Sequence, residues 1–438
     1  MNTPLRILVV LPLYGGSLPI GRYCAQALRD LGHLVEEFDA PAFHQAHVAL
    51  RGLRISGERL AQLETAFLNT LSQAVYAKAE SFAPDLVLAL AQAPLGRQTL
   101  RRLRADGVPT AMWFVEDYAL FTYWRSFAPL YDFFFVIQKE PFLSLLRETG
   151  VENACYLPLA ALPSFHRPLE LTAAERARYG ADLAFLGAGY PNRRAAFRAL
   201  AGRNFKIWGS DWDGDAVLAP LVQRGGARVS PEDSVRVYNA TRVNLNLHSS
   251  VRADKAVSGG DFVNPRTFEI AAMGAFQLVD RRSLLGELFR VDESVCAGAG
   301  APDPAAELAV FSDWEGLERG LTHYLVHPEE REAMARRARA RVLADHTYIR
   351  RMTAMLDFIR ARRSGWPAPR PTADWPPDIP EALRTELAAL LRRLDLPPQA
   401  AFADVVTRLR QESGVLGSLE TSLLFLDEWR KQYGSSGS

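Results

Sequence analysis

An arginine and a glutamate stand three residues apart in the segment 261–280, DFVNPRTFEIAAMGAFQLVD. Asn264 and Pro265 suit the cap and the first position of a short apolar helix, which places Arg266 in its first turn. Free N–H groups and the helix dipole favour an anion there, and an arginine adds a fork of donors for phosphate. Glu269 is placed to accept hydrogen bonds from two adjacent hydroxyls, such as a ribose diol. On these residues alone, a helix cap beside a solvated arginine fits equally well.

Two glycine-containing loops follow predicted strands elsewhere in the chain. Gly15 and Gly16 come after the apolar run RILVVLPL, where glycine permits close approach of a backbone or a ligand. The spacing is not G-x-G-x-x-G, so dinucleotide binding is poorly supported. Gly187 and Gly189 precede a helix that starts with two arginines, which predicts a second phosphate site through Arg193 in preference to its neighbour. A tight turn and solvated arginines are the respective alternatives.

Adjacent carboxylates, Glu116 and Asp117, follow the predicted strand AMWFV among several aromatic residues. Partial burial raises a carboxyl pKa toward the range that suits a general base, and aromatic faces suit sugar rings. We favour Asp117 for chemistry, since Glu116 is expected to point into the flank of the sheet; a helix cap is the alternative. His44 and His47 are assigned to a loop, and Trp208 and Trp212 are interpreted mainly as packing residues.

Composition describes an ordinary globular chain. It has 438 residues, 48% hydrophobic and 23% charged, and a formal net charge of +1, which argues against a protein that lives on nucleic acid or anionic membrane. The three cysteines form no C-x-x-C pair, so neither zinc nor a disulfide framework is indicated. The short first apolar run and the absence of a span-length segment predict a cytoplasmic protein without a membrane span.

Predicted strands and helices alternate in two successive parts of the chain. This pattern predicts an α/β protein with two doubly wound, Rossmann-like domains, 1–165 and 175–345, whose ligands lie beyond the carboxyl ends of the strands. A Pro-rich linker, 365–380, precedes a helical extension, 381–433, and residues 434–438 resemble a vector-derived remnant. The extension is expected to pack on the second domain, to form a homo-oligomer or to hold a protein partner.

The run NPRTFEIAAMGAFQLVD resembles the signature of the GT-B glycosyltransferases, nearest to their CgeB-like bacterial branch. Retaining members carry Glu, seven residues, Glu, then Ala-x-x-x-Gly. The second Glu, which binds the ribose, falls on Glu269. The first falls on Asp261, a departure that leaves a contact between this position and the donor sugar open. The resemblance also implies that residues 346–364 form a helix crossing back to the first domain.

The resemblance implies transfer of a hexose from a nucleotide-diphosphate sugar, with a UDP-sugar as the leading candidate, to a hydroxyl of a glycan or protein. No metal and no cofactor is expected, because a helix start and an arginine would stabilise the leaving diphosphate. Asp117 and Glu116 are the catalytic candidates. The donor-binding candidates are Gly15, Gly16, Gly187, Gly189, Arg193, Arg228, Val229, His248, Asp261, Asn264, Arg266, Thr267 and Glu269.

Several alternatives stay open at this point. Arg228 and Val229 are expected near the nucleobase, whereas His248 fits a phosphate ligand or a structural histidine equally well. The loop 250–263, with Lys255 and Gly259, is expected to close over the donor. An epimerase or phosphorylase on the same fold, or a non-catalytic scaffold that uses the helical extension, would fit the same motifs.

Overall fold

A computed structural model describes residues 4–250, 257, 260–368 and 379–433. The first sheet comprises β1 (Arg6–Val10), β2 (Leu34–Phe38), β3 (Leu86–Leu90), β4 (Thr110–Phe114), β5 (Phe133–Val136) and β6 (Ala154–Tyr156). The second comprises β7 (Ala181–Leu186), β8 (Phe205–Trp208), β9 (Thr241–Asn246), β10 (Gln277–Asp280), β11 (Val291–Asp292) and β12 (Leu308–Phe311). Both sheets are parallel, in the orders β2-β1-β3-β4-β5-β6 and β11-β12-β10-β9-β7-β8.

Helices cover both faces of each sheet. Around the first lie α1 (Ser17–Asp30), α2 (His44–Arg51), α3 (Gly57–Phe82), α4 (Arg97–Ala105), α5 (Trp124–Phe127) and α6 (Phe142–Glu148). Around the second lie α7 (Ala173–Tyr179), α8 (Pro191–Arg198), α9 (Pro231–Ala240), α10 (Pro265–Ala272), α11 (Leu285–Leu288), α12 (Ser294–Ala297), α13 (Trp314–Val326) and α14 (Pro328–Asp345). The chain continues with α15 (Tyr348–Arg362), α16 (Glu381–Arg393), α17 (Phe402–Gln411) and α18 (Ser418–Tyr433). The predicted fold class of two Rossmann-like α/β units is confirmed.

The apolar runs of the strands explain this layering. In β1, Ile7 and Val9 enter one apolar cluster, while Leu8 and Val10 enter the cluster on the opposite face. Because successive side chains of a strand point to opposite faces, a continuous apolar run needs cover on both sides. Each sheet is therefore a central layer, and its free carboxyl edge is where a ligand is accessible.

Helix α15 leaves the second domain and packs on the first. The Tyr348 ring lies 5.4 Å from that of Tyr23 in α1, and the Phe358 ring lies 5.4 Å from that of Phe135 in β5. Arg351 donates from Nε to the carbonyl oxygen of Pro158 at 2.7 Å. Helix α15 is therefore the helix that the resemblance implied would cross back to the first domain.

The helical extension packs on the first domain, so packing on the second domain, one of the three alternatives left open, is wrong. Leu34 of β2 belongs to the same apolar cluster as the buried leucines of α16 and α17. Gln411 donates from Nε2 to the carbonyl oxygen of Val35 at 2.8 Å, and Arg6 pairs with Asp404. The exposed edge of β2, rather than the second domain, offers the apolar surface that these helices cover.

Other local predictions also need correction. His44 and His47 lie on α2 rather than in a loop. Strands β6, β11 and β12 were not predicted.

Candidate functional site

The start of α10 is held by a buried polar network. Asn264 accepts the N–H of Thr267 on its Oδ1 at 3.2 Å, and Pro265 occupies the first helical position, as predicted. The amide of Asn264 also donates to Oδ1 of Asn246 at 2.7 Å, and Thr267 Oγ1 accepts from the Asn246 amide at 3.0 Å. The polar atoms of Asn264 and Thr267 are thus engaged within the protein and position the helix.

His248 belongs to this supporting network. Its Nδ1 lies 2.5 Å from Oδ1 of Asp280, and its Nε2 accepts the backbone N–H of Asn264 at 2.9 Å. Burial lowers the pKa of His248 to about 4, although the Asp280 charge raises it. Both ring nitrogens are occupied in a neutral imidazole, so His248 orients the helix cap and offers no nitrogen to a phosphate. Of the two roles left open, the structural one fits this geometry.

Arg266 is the basic side chain that the network leaves available. It is half-buried, and within the described ranges no carboxylate forms an ion pair with it. Its Nη2 lies close to Gly187, where a Cβ would approach this nitrogen to 3.0 Å. Gly187 therefore gives the guanidinium room at the carboxyl end of β7.

Arg193 is placed differently from the sequence expectation. Its guanidinium is 3% exposed and donates to the carbonyl oxygens of Leu247, at 2.8 and 3.0 Å, and of Ala188, at 2.9 Å. Burial, followed by the charge of Arg266, lowers its pKa to about 9. Arg193 fastens the loop after β7 to the end of β9 and contributes its charge from behind Arg266.

Glu269 lies one turn along α10 in a largely aromatic pocket. Its side chain is 16% exposed, and its Oε1 lies 3.7 Å from Nε2 of the buried His166. Burial raises the pKa of Glu269 to about 7, although the charge of Arg266 lowers it. Burial also raises the pKa of Tyr23 and Tyr238, with a smaller contribution from the Glu269 charge.

The two adjacent carboxylates of the first domain have different surroundings. Glu116 accepts from the Gln92 amide at 2.5 Å and from the Tyr123 hydroxyl at 3.1 Å, and burial raises its pKa. Asp117 is half-buried, and its Oδ1 accepts the N–H of Ala119 at 2.8 Å. One Asp117 oxygen is thus used in a local turn, which leaves the other for a ligand.

Two hydrogen-bonded contacts join the domains beside this site. Asp261 accepts from the Gln138 amide at 2.9 Å and from the backbone N–H of Lys139 at 2.8 Å. Arg228 donates from Nη2 to the carbonyl oxygen of Gly15 at 2.6 Å. Asp261 and Arg228 thereby bring the loops that follow β1 and β5 toward the second domain.

The remaining glycine and apolar candidates shape the loops. Gly15 has a φ of +104°, a conformation that glycine adopts readily, and Gly16 precedes α1. A Cβ at Gly189 would lie 2.1 Å from the carbonyl oxygen of Asp211, so only glycine fits there. Val229 packs partly against the apolar cluster that contains Trp208.

Trp208 and Trp212 are each 2% exposed, as their interpretation as packing residues predicted.

Sequence reasoning missed Gln92 and His166. Gln92 has a φ of +66°, which is uncommon for a residue with a side chain, and no sequence signal marks it. His166 follows no strand and is brought to Glu269 only by the interdomain segment. Lys255 and Gly259 lie outside the described residues.

Comparisons with known proteins find relatives of this chain. Residues 192–357, which include α10, match the family described as "Glycosyl transferase-like". The spore protein CgeB of Bacillus subtilis strain 168 is 24% identical over 269 residues, or 59% of this chain and 77% of CgeB. The chain has the GT-B fold, and it is similar in sequence to CgeB and to the glycosyl transferase-like family.

Solved structures support the fold of this CgeB-like chain. A glycosyltransferase from Rickettsia africae superposes with a TM-score of 0.53 at 11% identity, covering 82% of this chain and 99% of that one. Sucrose-phosphate synthase from Thermosynechococcus elongatus gives 0.52 at 13% identity, with the same coverages. At these identities the likeness concerns the fold alone. Among the described residues, no helix combines the length and apolarity needed to span a bilayer.

Proposed function

We propose that this CgeB-like protein transfers a hexose from a nucleotide-diphosphate sugar, with a UDP-sugar as the first candidate, to an acceptor hydroxyl without a metal ion. The observation that carries the proposal is the pairing of Arg266 and Glu269 on α10 at the carboxyl edge of the second sheet. Among the described residues the Arg266 guanidinium forms no ion pair with a carboxylate, and Glu269 lies one turn away, so the two side chains would match the diphosphate and the ribose diol of one nucleotide.

The diphosphate would lie against the start of α10. Pro265 has no N–H and the N–H of Thr267 is bonded to Asn264, so the cap leaves the N–H of Arg266 for an anion. The Arg266 side chain adds charge-assisted hydrogen bonds, and Arg193 adds a second positive charge from beneath. Negative charge that gathers on the departing diphosphate is stabilised by these groups.

The ribose would bind to Glu269. An ionised carboxylate accepts from both hydroxyls of a diol, whereas a protonated carboxyl loses part of that capacity. His166 supplies a ring nitrogen at 3.7 Å, and Tyr23 packs edge-on to His166 at 4.9 Å between ring centroids. This support would fix the carboxylate in position before the nucleotide arrives.

Asp117 is our candidate for orienting the acceptor. The acceptor oxygen would form a bond to the anomeric carbon as the bond from that carbon to the diphosphate oxygen breaks. The acceptor proton would pass to the Asp117 carboxylate or to the leaving phosphate. Glu116 would support this strand end through Gln92 and Tyr123 rather than take the proton.

The test is a thermal-shift panel of UDP, GDP, TDP and CMP with their sugar conjugates, followed by calorimetry of each nucleotide that stabilises the protein. Specific binding to the native state raises the midpoint by mass action. Glu269→Ala should weaken nucleotide binding by roughly 1–3 kcal/mol, because buried hydrogen-bond partners are orphaned. Glu332→Ala, which alters an exposed glutamate on α14, is the matched control. A panel without any stabilising nucleotide would refute the donor site and favour a non-catalytic binding role.

A further inference from the structure

A second cluster of ligand-type side chains lies where α13 meets α14. We propose that His323, His327 and Glu330 bind one divalent transition-metal ion of the Zn²⁺ class. Within the described ranges, this is the one group of at least three His, Cys, Asp or Glu residues whose ligand atoms converge, all lying within 4.8 Å of one another. Imidazole nitrogens and a carboxylate oxygen are the ligands such ions prefer.

His323 is already in contact with each of the other two side chains. Nε2 of His323 lies 2.5 Å from Oε2 of Glu330, and the ring centroids of His323 and His327 are 4.0 Å apart with an interplanar angle of 18°. The side chains of His323 and Glu330 are only 25% and 29% exposed. A small rotation of the stacked rings would turn both imidazoles toward a shared ion, with a fourth position open to water.

The tautomer of His327 favours this role. Its Nδ1 lies 2.7 Å from the carbonyl oxygen of His323. A carbonyl oxygen only accepts, so Nδ1 must carry the proton and Nε2 must present its lone pair. This is the arrangement by which metal-binding histidines are usually oriented, with one ring nitrogen on a backbone carbonyl and the other on the ion.

The site is remote from the proposed donor site. Helix α13 follows β12 and runs back along the sheet, so its last turn lies toward the amino ends of the parallel strands. The nucleotide would bind at the opposite, carboxyl edge. Arg331, next to Glu330, accordingly lies near Arg242 and Asp182, which are at the starts of β9 and β7. We therefore assign the ion a structural role, in which it ties α13 to α14.

The experiment titrates the tag-free, metal-stripped protein with ZnCl₂ and NiCl₂ at pH 7.5 by calorimetry, with MgCl₂ as the hard-cation comparison. We expect one Zn²⁺ per chain, weaker or no Mg²⁺ binding, and a midpoint of unfolding that rises with Zn²⁺. His327→Ala should weaken Zn²⁺ binding at least tenfold and remove the rise.

Glu329→Ala is the matched control, since Glu329 is exposed beside the cluster and outside it. It should bind Zn²⁺ as the parent does. His323→Asn provides a second variant if His327→Ala is unfolded by circular dichroism. Absence of Zn²⁺ binding, or equal binding by the parent and the folded histidine variants, would overturn the proposal and leave His323 and Glu330 as an ordinary hydrogen-bonded pair.

Discussion

Nε2 of His166 lies 3.7 Å from Oε1 of Glu269, and the two residues come from different segments of the chain. Nδ1 of His166 accepts the backbone N–H of Leu162 at 3.0 Å, so the ring proton is on Nε2 and faces the carboxylate. Burial lowers the pKa of His166 to about 3, so the imidazole is neutral near pH 7. A neutral donor, rather than a cation, therefore accompanies a carboxyl whose pKa is about 7.

The affinity for a UDP-sugar should increase as the pH rises through about 7. Glu269 must be ionised to accept from both ribose hydroxyls, and burial keeps it protonated below that pH. Calorimetry with UDP-glucose between pH 5.5 and 8.5 tests this, because the diphosphate of that ligand has no ionisation in the range. We expect up to tenfold loss per pH unit below 7.

Glu269→Gln should flatten this profile, and Glu332→Gln should leave it unchanged. An affinity that is constant with pH in the parent would contradict ribose binding by the carboxylate.

The raised pKa of Glu269 also lowers the stability of the folded protein as the pH rises. Between about pH 4.5 and 7 the unfolded carboxyl releases its proton before the folded one, so this group lowers the free energy of unfolding as the pH rises.

Arg266→Ala should weaken binding of nucleoside diphosphates by about 1.5–3 kcal/mol, the usual value for hydrogen bonds to a charged group. Arg266→Lys should recover part of that loss, since it keeps the charge but not the fork of donors. Arg336→Ala removes an exposed arginine of α14 and serves as control. Calorimetry with UDP and uridine separates the effects, because uridine lacks the phosphates and should bind all three variants equally.

Arg193→Met should mainly lower the free energy of unfolding, rather than the affinity for the nucleotide. The substitution removes three hydrogen bonds to the carbonyl oxygens of Leu247 and Ala188, which are buried with it. We expect the free energy of unfolding to fall by about 2–4 kcal/mol, measured by urea denaturation. Arg194→Met, in which the neighbouring and more exposed arginine is changed, is the comparison. An unfolding curve that matches the parent would show that Arg193 does not fasten these loops.

Asp117→Asn should lower sugar transfer by at least tenfold and leave donor binding within a factor of two. Asparagine retains an Oδ1 that can accept the N–H of Ala119, so the local turn is preserved while the charge is removed. Donor affinity is measured by calorimetry, and transfer by release of the nucleoside diphosphate with an acceptor. Glu116→Gln is compared in parallel. Unchanged turnover in Asp117→Asn would exclude its catalytic role.

The sequence by itself determined the layers and the helix that carries the candidate site. Continuous apolar strands alternating with amphipathic helices predict doubly wound parallel sheets, since each strand must be covered on both faces. Asn264 and Pro265 predict the start of α10 because capping is a local property, set by side chains within one turn of the helix. The resemblance then singled out Glu269.

Only the tertiary structure decided which candidates face a ligand. His248 and Arg193 have the residue types of phosphate ligands, but Asp280 engages His248 and the carbonyl oxygen of Leu247 engages Arg193. These two partners are 32 and 54 positions away in the chain. Likewise, His166, which lies beside Glu269, comes from the segment between the two domains. Burial and hydrogen-bond partners depend on how distant segments pack, and a pattern of neighbouring residues does not contain that information.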